Sequence, residues 1–473
     1  MAEQLWRWSA IDLAAAISKR EVSCAEAVGA VVERVRATND DLNAIVEDLG
    51  DTALAEAAEM DARLASDGPI GPLHGVPVTI KVNVDQKGCA TTNGVEAFAS
   101  VIAPDNAPVV RNLRNAGAVI VGRTNTPEFS FRATTDNVVH GRTKNPWDEM
   151  RSPGGSSGGA SAACAMGYGP IAHGNDIGGS LRFPSFMCGL STVRPTLGRV
   201  PAYNPSAPEE RGILAQMMSV QGAIAREVCD VRLGTRVMAA ADPRDPWWVP
   251  APFDGPAPEG PVKVAVSKDG LGYAIDPAIA AAVDKAAGVL SDAGYAVEEV
   301  DPPLASETAD CWGRNTMGEV AVLMEPAIRQ YGSPAINGCF DNYYAHFGVA
   351  EPVDLIRALG DRTRMLRAWT TFLADYPLVL TPFMMRPTYE WDEDLRGADE
   401  VNDIFDAGRW SYLMNYLGLP AAVTPIGLHD DLPIGIQIVG QRFREDMCLD
   451  AAEAIENVVG IMARELWRRQ DAA

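Results

Sequence analysis

Apolar residues recur at helical spacing in three segments at the start of the chain, residues 11–18, 24–36 and 52–65. Ser23 precedes the second segment and Glu26 follows three positions later, which is the capping-box pattern of a helix start. We therefore predict a helical N-terminal layer over residues 1–66. No candidate chemistry lies in it.

Residues 76–84 show a different pattern, in which two kinds of side chain alternate. β-Branched apolar residues occupy the even positions, whereas Thr79, Lys81 and Asn83 lie among the odd ones. This two-residue period predicts a β-strand with one buried face. Lys81 would lie at the centre of that strand, and it is one of only seven lysines in the chain.

Strand and helix patterns alternate through the rest of the chain, which is typical of α/β folds. A proline-rich stretch at residues 241–261 predicts a surface linker between two halves of one domain. Helices are predicted over residues 108–116, 160–166, most of 305–375 and 446–468, and also after Asp276, which precedes a proline. Strands are predicted over residues 119–121, 262–266, 295–299, 378–380 and 434–439.

The charge balance argues against two classes of partner. The chain has 63 acidic against 40 basic residues, a formal charge of −23, and such a field repels nucleic acid and anionic membrane surfaces. Eight scattered cysteines show no metal-ligand spacing, which favours reduced, buried thiols. The N-terminus lacks the pattern of a signal peptide, and no apolar run has the length of a membrane span. We therefore expect a cytoplasmic protein.

Two glycine-rich clusters are the candidate sites. The first is SPGGSSGG at residues 152–159, and the second is NDIGGS at residues 175–180. Dense glycine is kept where the backbone needs a positive φ or must approach a ligand closely. The first cluster also precedes the predicted helix 160–166, so the unpaired backbone N–H groups of the helix start would point toward Ser156 and Ser157.

A serine nucleophile needs a base, and the residues alone leave two possibilities. Residues 154–158 satisfy the G-x-S-x-G pattern of an α/β-hydrolase elbow, which would use one of the five histidines, but Pro153 and a polar run precede it instead of a strand. A lysine base must be largely neutral, which requires burial or a nearby positive field. Lys81 is the lysine whose surroundings fit that requirement. A phosphate-binding loop is excluded because Ala160 stands where that motif needs lysine.

Several motifs together resemble the amidase signature family over nearly the whole chain. The main ones are GPLHGVPVTIK at residues 71–81, GGSSGG at 154–159 and DIGGSLR at 176–182. Further agreement is found in GRTNTPEF at residues 122–129, in CG at 188–189 with RPT at 194–196, and in LPIGIQIVG at 432–440.

The resemblance implies a Ser-cisSer-Lys triad. Ser180 would be the nucleophile, Ser156 the bridging serine after a cis peptide bond from Gly155, and Lys81 the base. The backbone N–H groups of the loop would form the oxyanion hole, and three further side chains would support the site. The implied oxyanion residues are Ile177, Gly178, Gly179 and Ser180, and the supporting residues are Ser157, Asp176 and Arg182. No cofactor and no metal are implied.

The resemblance also implies an α/β fold in one large domain, with a central mixed β-sheet covered by helices on both faces. Within the single domain, 1–473, we expect four regions. They are the N-terminal helices at 1–66, a catalytic core at 67–200, a variable substrate-pocket region at 201–420 and a C-terminal strand and helix at 421–473.

The sequence departs from the family pattern at three places. Val82 follows the lysine where aspartate is usual, and Asn175 stands where serine or threonine is commoner. Residues 191–194 have the sequence STVR in place of the usual Gly-Leu-Lys run. None of these is a triad residue, so the departures concern the surroundings of the site.

The expected activity is hydrolysis of a small, fairly apolar amide, either an anilide or a primary amide, or of an aryl carbamate. Residues 172–176 look similar to those of stand-alone bacterial amidases such as the aryl acylamidases, and some stand-alone members also cleave urethanes. The expected partner is a small-molecule amide or carbamate, with no nucleic acid and no membrane, in a monomer or homodimer. The alternatives are the A subunit of a glutamine-dependent amidotransferase, a Ser-His-Asp esterase and a non-catalytic binding protein on the same fold. The first is disfavoured because residues 217–222 lack its expected Ser-Leu-Asp-Gln-like pattern.

Overall fold

An eleven-stranded sheet runs through the whole protein. The computed structural model describes residues 4–472. The strands, numbered in chain order, are β1 (Ile45–Asp48), β2 (Pro77–Lys81), β3 (Val119–Thr124), β4 (Ile171–Asp176), β5 (Ser191–Arg194), β6 (Val220–Ala225), β7 (Lys263–Val266), β8 (Ala296–Glu299), β9 (Leu378–Pro382), β10 (Ala421–His429) and β11 (Leu432–Gly440).

The sheet is mixed, as predicted. Its strand order is β1-β3-β2-β4-β6-β5-β10-β11-β9-β7-β8. Strand β2 pairs in parallel with β3 and β4, and β7 pairs in parallel with β8 and β9. The strands between these two parts, from β4 to β9, are antiparallel to their neighbours.

Helices pack against this sheet throughout the chain. They are α1 (Ala10–Ser18), α2 (Cys24–Leu42), α3 (Gly50–Ser66), α4 (Pro108–Asn115), α5 (Gly158–Ala165), α6 (Arg182–Cys188), α7 (Ile213–Met218), α8 (Val228–Met238), α9 (Pro277–Asp292), α10 (Ala305–Leu323), α11 (Glu325–Tyr331), α12 (Pro334–Phe347), α13 (Pro352–Asp375), α14 (Ala398–Ala407), α15 (Arg409–Leu417), α16 (Glu445–Val459) and α17 (Met462–Ala472).

The predicted N-terminal helical layer is present as α1, α2 and α3. The capping box at the start of α2 is confirmed, because the Ser23 side chain accepts from the N–H of Glu26 while the Glu26 side chain accepts from the N–H of Ser23. The apolar faces of these helices pack with β2 and β3 in one core cluster, and a second, larger cluster fills the region around β9, β10 and β11.

The prediction of a strand within residues 76–84 is confirmed, but the prediction that only one of its faces is buried is wrong. Strand β2 is shorter, and all five of its residues are buried. The polar positions Thr79 and Lys81 are as buried as the apolar ones because protein covers both faces of the sheet here. Lys81 is therefore an interior lysine.

The predicted single helix over residues 446–468 is also wrong, since two helices occupy that region. Gly460 ends α16 with a φ of +80° and α17 begins at Met462. A positive φ is typical of the glycine that ends a helix, so the break follows from a residue that the apolar periodicity does not register. The proline-rich stretch 241–261 contains no helix or strand, as predicted. Across residues 4–472, none of the helices combines the length and the apolar character needed to span a membrane.

Candidate active site

Lys81 lies at the end of β2 and is fully buried. Burial disfavours the charged ammonium, and it lowers the pKa of Lys81 well below its ordinary value of 10.5, while the charge of Asp176 opposes the shift. The Lys81 amine therefore becomes neutral at a much lower pH than the amine of an exposed lysine. This is the property that a lysine base requires.

Three oxygen atoms surround the Lys81 amine. Its Nζ lies 2.7 Å from Ser156 Oγ, 3.1 Å from Ser157 Oγ and 2.8 Å from Asn175 Oδ1. The Asn175 oxygen faces the lysine because the amide nitrogen on its other side donates to Asn83 Oδ1 at 2.9 Å. An amide oxygen can only accept a hydrogen bond, so the Lys81 amine donates one N–H to Asn175 Oδ1. A neutral amine can donate its second N–H to Ser157 Oγ. Its lone pair then points toward the Ser156 hydroxyl and can accept a hydrogen bond from it.

Ser156 follows a cis peptide bond from Gly155, as the family resemblance predicted. A Cβ at Gly155 would collide with the carbonyl oxygen of Arg132, so only glycine fits there. The Ser156 side chain is almost completely buried beside Lys81. Helix α5 begins two residues later at Gly158.

Ser180 lies on the short loop between β4 and α6. It is partly exposed, whereas Lys81 and Ser156 are buried. Within the part of the chain that the structure describes, the Ser180 hydroxyl makes no hydrogen bond, including none to Ser156. A ligand can therefore reach the Ser180 side chain, whereas the side chains of Lys81 and Ser156 are enclosed by protein.

The backbone N–H groups of this loop differ in their partners. Gly179 N–H donates to Asp176 Oδ1 at 2.7 Å, and Leu181 N–H donates to Asp176 Oδ2 at 3.2 Å. For Ile177, Gly178 and Ser180, the residues between 4 and 472 supply no acceptor. The prediction of Gly179 as an oxyanion donor is therefore not supported, because its N–H is already used to hold the loop. The other three N–H groups are free to bind an anionic oxygen.

Asp176 and Arg182 form a buried ion pair at the base of the loop. Arg182 Nε donates to Asp176 Oδ2 at 3.0 Å, and both side chains are fully buried. Asn415 donates to Asp176 Oδ1 at 2.8 Å, while Arg182 also donates to Gln437 Oε1 at 2.7 Å. Burial works against the ionised carboxylate, but the charge and hydrogen bonds of Arg182, the charge of Arg194 and the Asn415 hydrogen bond lower the pKa of Asp176 to about 2.

We expect Arg182→Met to destabilise the protein strongly, because it leaves the Asp176 carboxylate buried without its counter-ion. The free energy of unfolding, measured by urea denaturation, should fall by about 3 to 5 kcal/mol. The double variant Asp176→Asn/Arg182→Met removes the unpaired charge and should recover part of that loss. A double variant no more stable than Arg182→Met would contradict this explanation.

A buried histidine lies beneath the lysine. His173 Nδ1 accepts from the Lys81 backbone N–H at 3.4 Å, and its Nε2 lies 2.9 Å from Gln221 Oε1. Burial lowers the pKa of His173 to about 4, helped by the charge of Lys81 and opposed by the Gln221 hydrogen bond. The imidazole is therefore neutral near pH 7. Because Nδ1 accepts, the proton lies on Nε2, which donates to Gln221.

Aromatic side chains border the Ser180 loop on another side. Trp312 Nε1 donates to the Ile177 carbonyl at 2.9 Å, and its ring stacks on Tyr412 with the ring centroids 4.4 Å apart. Phe347 packs edge-on against Trp312 at 5.7 Å. A Cβ at Gly178 would lie 2.6 Å from the indole, so the loop backbone rests directly against this ring.

Comparison with known proteins identifies the family. The family model described as Amidase matches residues 26–449. The chain belongs to the amidase signature family. As an amidase it is an enzyme that hydrolyses amides.

Individual amidases agree with the chain over almost its full length. It is 48% identical over 468 residues to an indoleacetamide hydrolase of Bradyrhizobium diazoefficiens, covering 99% of this chain and 89% of that protein. It is 34% identical over 496 residues to an acylamidase of Rhodococcus erythropolis, covering 97% of each of the two chains. The crystal structure of a bacterial aryl acylamidase of the amidase signature family superposes with a TM-score of 0.84 at 25% identity, covering 97% of this chain and 98% of that one.

Not every residue of this candidate site was predicted. The structure brings Lys81, Ser156 and Ser157 into hydrogen-bond contact and places Asp176 with Arg182 next to the Ser180 loop. Asn175 was noted only as a departure from the family, although its oxygen contacts the lysine amine. Trp312, Asn415 and Gln437 were missed because they come from distant parts of the chain and form no local motif with the glycine clusters.

Proposed function

We propose that this amidase hydrolyses the primary amide of an arylacetamide to the carboxylic acid and ammonia. The aromatic cluster around Trp312, which touches the loop that carries Ser180, is the observation that carries this proposal. Such a cluster offers an apolar, aromatic surface to the acyl group of a substrate whose carbonyl lies at Ser180. The substantial identity to an indoleacetamide hydrolase supports the same class of acyl group.

The proposed proton relay runs from Ser180 through Ser156 to Lys81. Neutral Lys81 takes the proton of the Ser156 hydroxyl, and Ser156 in turn takes the proton of Ser180. The transfer from Ser156 to Lys81 is supported by the 2.7 Å distance between Ser156 Oγ and Lys81 Nζ. At that distance the lone pair of the neutral amine can accept the Ser156 hydroxyl hydrogen. The bond between Ser180 and Ser156 would form when the substrate orders the Ser180 side chain, since catalytic hydrogen bonds often tighten only in the complex.

Ser180 Oγ then attacks the amide carbon, and the carbonyl oxygen becomes an oxyanion. The free N–H groups of Ile177, Gly178 and Ser180 would donate to it, and one such donor contributes about 10²- to 10³-fold in rate. The lysine returns its proton through Ser156 to the nitrogen, so that ammonia leaves and an acyl ester remains on Ser180. Water attacks this ester by the same relay, and the acid is released. Asp176 holds the loop in place throughout by binding Gly179 N–H.

A panel of substrates tests the proposed acyl group. We expect the isolated enzyme to prefer indole-3-acetamide and phenylacetamide over acetamide, glutamine, an acetanilide and an aryl carbamate in kcat/KM. Preference for the anilide or carbamate would move the function to those predicted classes, and activity on glutamine would favour the amidotransferase alternative.

Trp312→Leu provides a direct test of the aromatic surface. It should lower kcat/KM for indole-3-acetamide by about tenfold or more, because it removes one stacking surface of about 1 kcal/mol together with the Ile177 hydrogen bond. The activity on acetamide should fall less, since that substrate has no ring. Trp248→Leu removes a tryptophan outside the site whose Nε1 likewise donates to a backbone carbonyl, that of Ala239 at 3.0 Å, and is the matched control. An equal loss on both substrates in Trp312→Leu would contradict an aromatic acyl site.

Asn175→Asp tests the state of the lysine. A carboxylate at this position would lie about 3 Å from the Lys81 amine, and an opposite charge at that range raises a lysine pKa by about 1 unit or more. Because the neutral amine is the active form, the acidic limb of the kcat/KM profile should move to higher pH by the same amount. Asn175→Thr keeps an acceptor without a charge and should leave that limb in place. Two superimposable profiles would exclude Lys81 as the titrating group.

A further inference from the structure

A cavity outside the candidate active site lies at the same edge of the sheet as the Ser180 loop. Strand β4 ends there at Asp176, opposite the first residue of β6, Val220, and β5 ends there at Arg194, opposite the first residue of β10, Ala421. The cavity has a volume of about 210 Å³ and is enclosed by segments that adjoin these strand ends. Lys81, Ser156 and Ser180 do not line it.

The walls of this cavity are mostly apolar. Leu197, Met217, Trp247 and Leu417 are among the apolar residues that line it. Trp247 is 42% exposed at the mouth, whereas Leu417 is buried. A volume of 210 Å³ corresponds to the room of about seven water molecules, so it suits a ligand the size of one aromatic ring with a short side arm.

Two arginines also line the cavity, and neither forms an ion pair with any residue of the described range 4–472. Arg362 is only 8% exposed, and its Nε donates to the carbonyl of Tyr416. Its two terminal nitrogens have no hydrogen-bond acceptor in that range. Arg442 lies at the outer side and is exposed. Burial and the nearby charge of Arg442 lower the pKa of Arg362, and the Tyr416 side chain opposes the shift.

Neither cavity arginine is paired with an acidic side chain of residues 4–472, so both positive charges are available to a ligand. The terminal nitrogens of Arg362 are accessible from the cavity, so a ligand with acceptor oxygens can replace water there and form charge-assisted hydrogen bonds. Arginine presents its terminal N–H groups in a planar fork that matches a carboxylate. Because the walls are mostly apolar, a ligand with an apolar body fits the cavity better than a small inorganic anion.

We propose that this cavity is a binding site for a small carboxylic acid with an apolar body. Its carboxylate pairs with Arg362 and Arg442, and its ring or hydrocarbon part packs between Leu197, Met217 and Trp247. The inference does not depend on the proposed reaction, because it rests on residues outside the site at Ser180.

Phenylacetate is the probe for a calorimetric titration of the full-length enzyme. We expect binding to the wild type and a loss of affinity of about tenfold or more in Arg442→Gln, because a charge-assisted contact is removed. Arg362→Gln should show a larger loss of affinity. If Arg362→Gln does not fold because that residue is buried, Arg442→Gln at the exposed position still tests the proposal. Arg468→Gln removes the same charge from an exposed position on α17 and should bind as the wild type does.

Two further ligands probe the two halves of the proposed site. The neutral 2-phenylethanol should bind at least tenfold more weakly than phenylacetate, and inorganic phosphate should also bind more weakly. Equal affinity for the alcohol would overturn the role of the arginines, and equal affinity for phosphate would overturn the apolar part. Unchanged phenylacetate binding in Arg442→Gln, as expected if the acid bound only at Ser180, would overturn the proposal, as would no binding to the wild type.

Discussion

Ser180→Ala should reduce kcat for indole-3-acetamide by about 10⁴- to 10⁶-fold, the range found when a catalytic nucleophile is removed. KM should change little, because the surfaces that bind the substrate are unaltered. The Ser180 hydroxyl makes no hydrogen bond to residues 4–472, so the thermal midpoint of unfolding should also stay the same. The fall in kcat is measured by the release of ammonia, and the thermal midpoint of unfolding is measured by calorimetry.

Ser185→Ala is the matched control for this variant. Ser185 lies on α6, directly after the Ser180 loop, and its hydroxyl donates to the Leu181 carbonyl at 2.9 Å. Loss of that internal hydrogen bond should cost about 1 kcal/mol of stability and little activity. Retention of most activity by Ser180→Ala, or an equal loss in the control, would refute Ser180 as the nucleophile.

Lys81→Met should lower kcat/KM by about 10²- to 10⁴-fold, the contribution of a positioned general base. Methionine has a similar length and no charge, so the buried side chain is replaced without leaving a large cavity. In the wild type, kcat/KM should rise with pH through the pKa of Lys81, which lies well below 10.5, and then level off. This rise should be absent in Lys81→Met. The full pH profile of both enzymes provides the measurement.

Lys87→Met removes an exposed lysine from the loop after β2 and serves as the control. It should keep both the rate and the pH profile of the wild type. If Lys81→Met retained the rising limb, another group would have to be the base. His173 would then become a candidate, because it is the buried histidine next to the Lys81 backbone.

Local patterns in the sequence were sufficient for most of the fold. The start of α2 was predicted because Ser23 and Glu26 satisfy the backbone donors of the first turn. The burial of both faces of β2 was not, because alternation of side chains says which residues share a face but not what covers it. The break at Gly460 was missed since one glycine with a positive φ interrupts a helix without disturbing its apolar period.

The site divides in the same way between local and distant information. Lys81, Ser156, Asp176 and Ser180 lie in short motifs, and the resemblance to the amidase signature family gave each of them a predicted role. Asn415 belongs to none of these motifs, because it lies 239 positions from Asp176, to which it donates a hydrogen bond.

The hydrogen bond from Trp312 to the Ile177 carbonyl joins helix α10, which carries part of the proposed aromatic site, to the loop of the proposed nucleophile. In the proposed mechanism, substrate specificity and turnover are therefore coupled through this hydrogen bond and cannot be exchanged independently. A chimera that imports α10 from another amidase should keep a hydrogen-bond donor of similar reach at position 312. Without one, a transplanted pocket would accept its new substrate but present it to a misaligned serine.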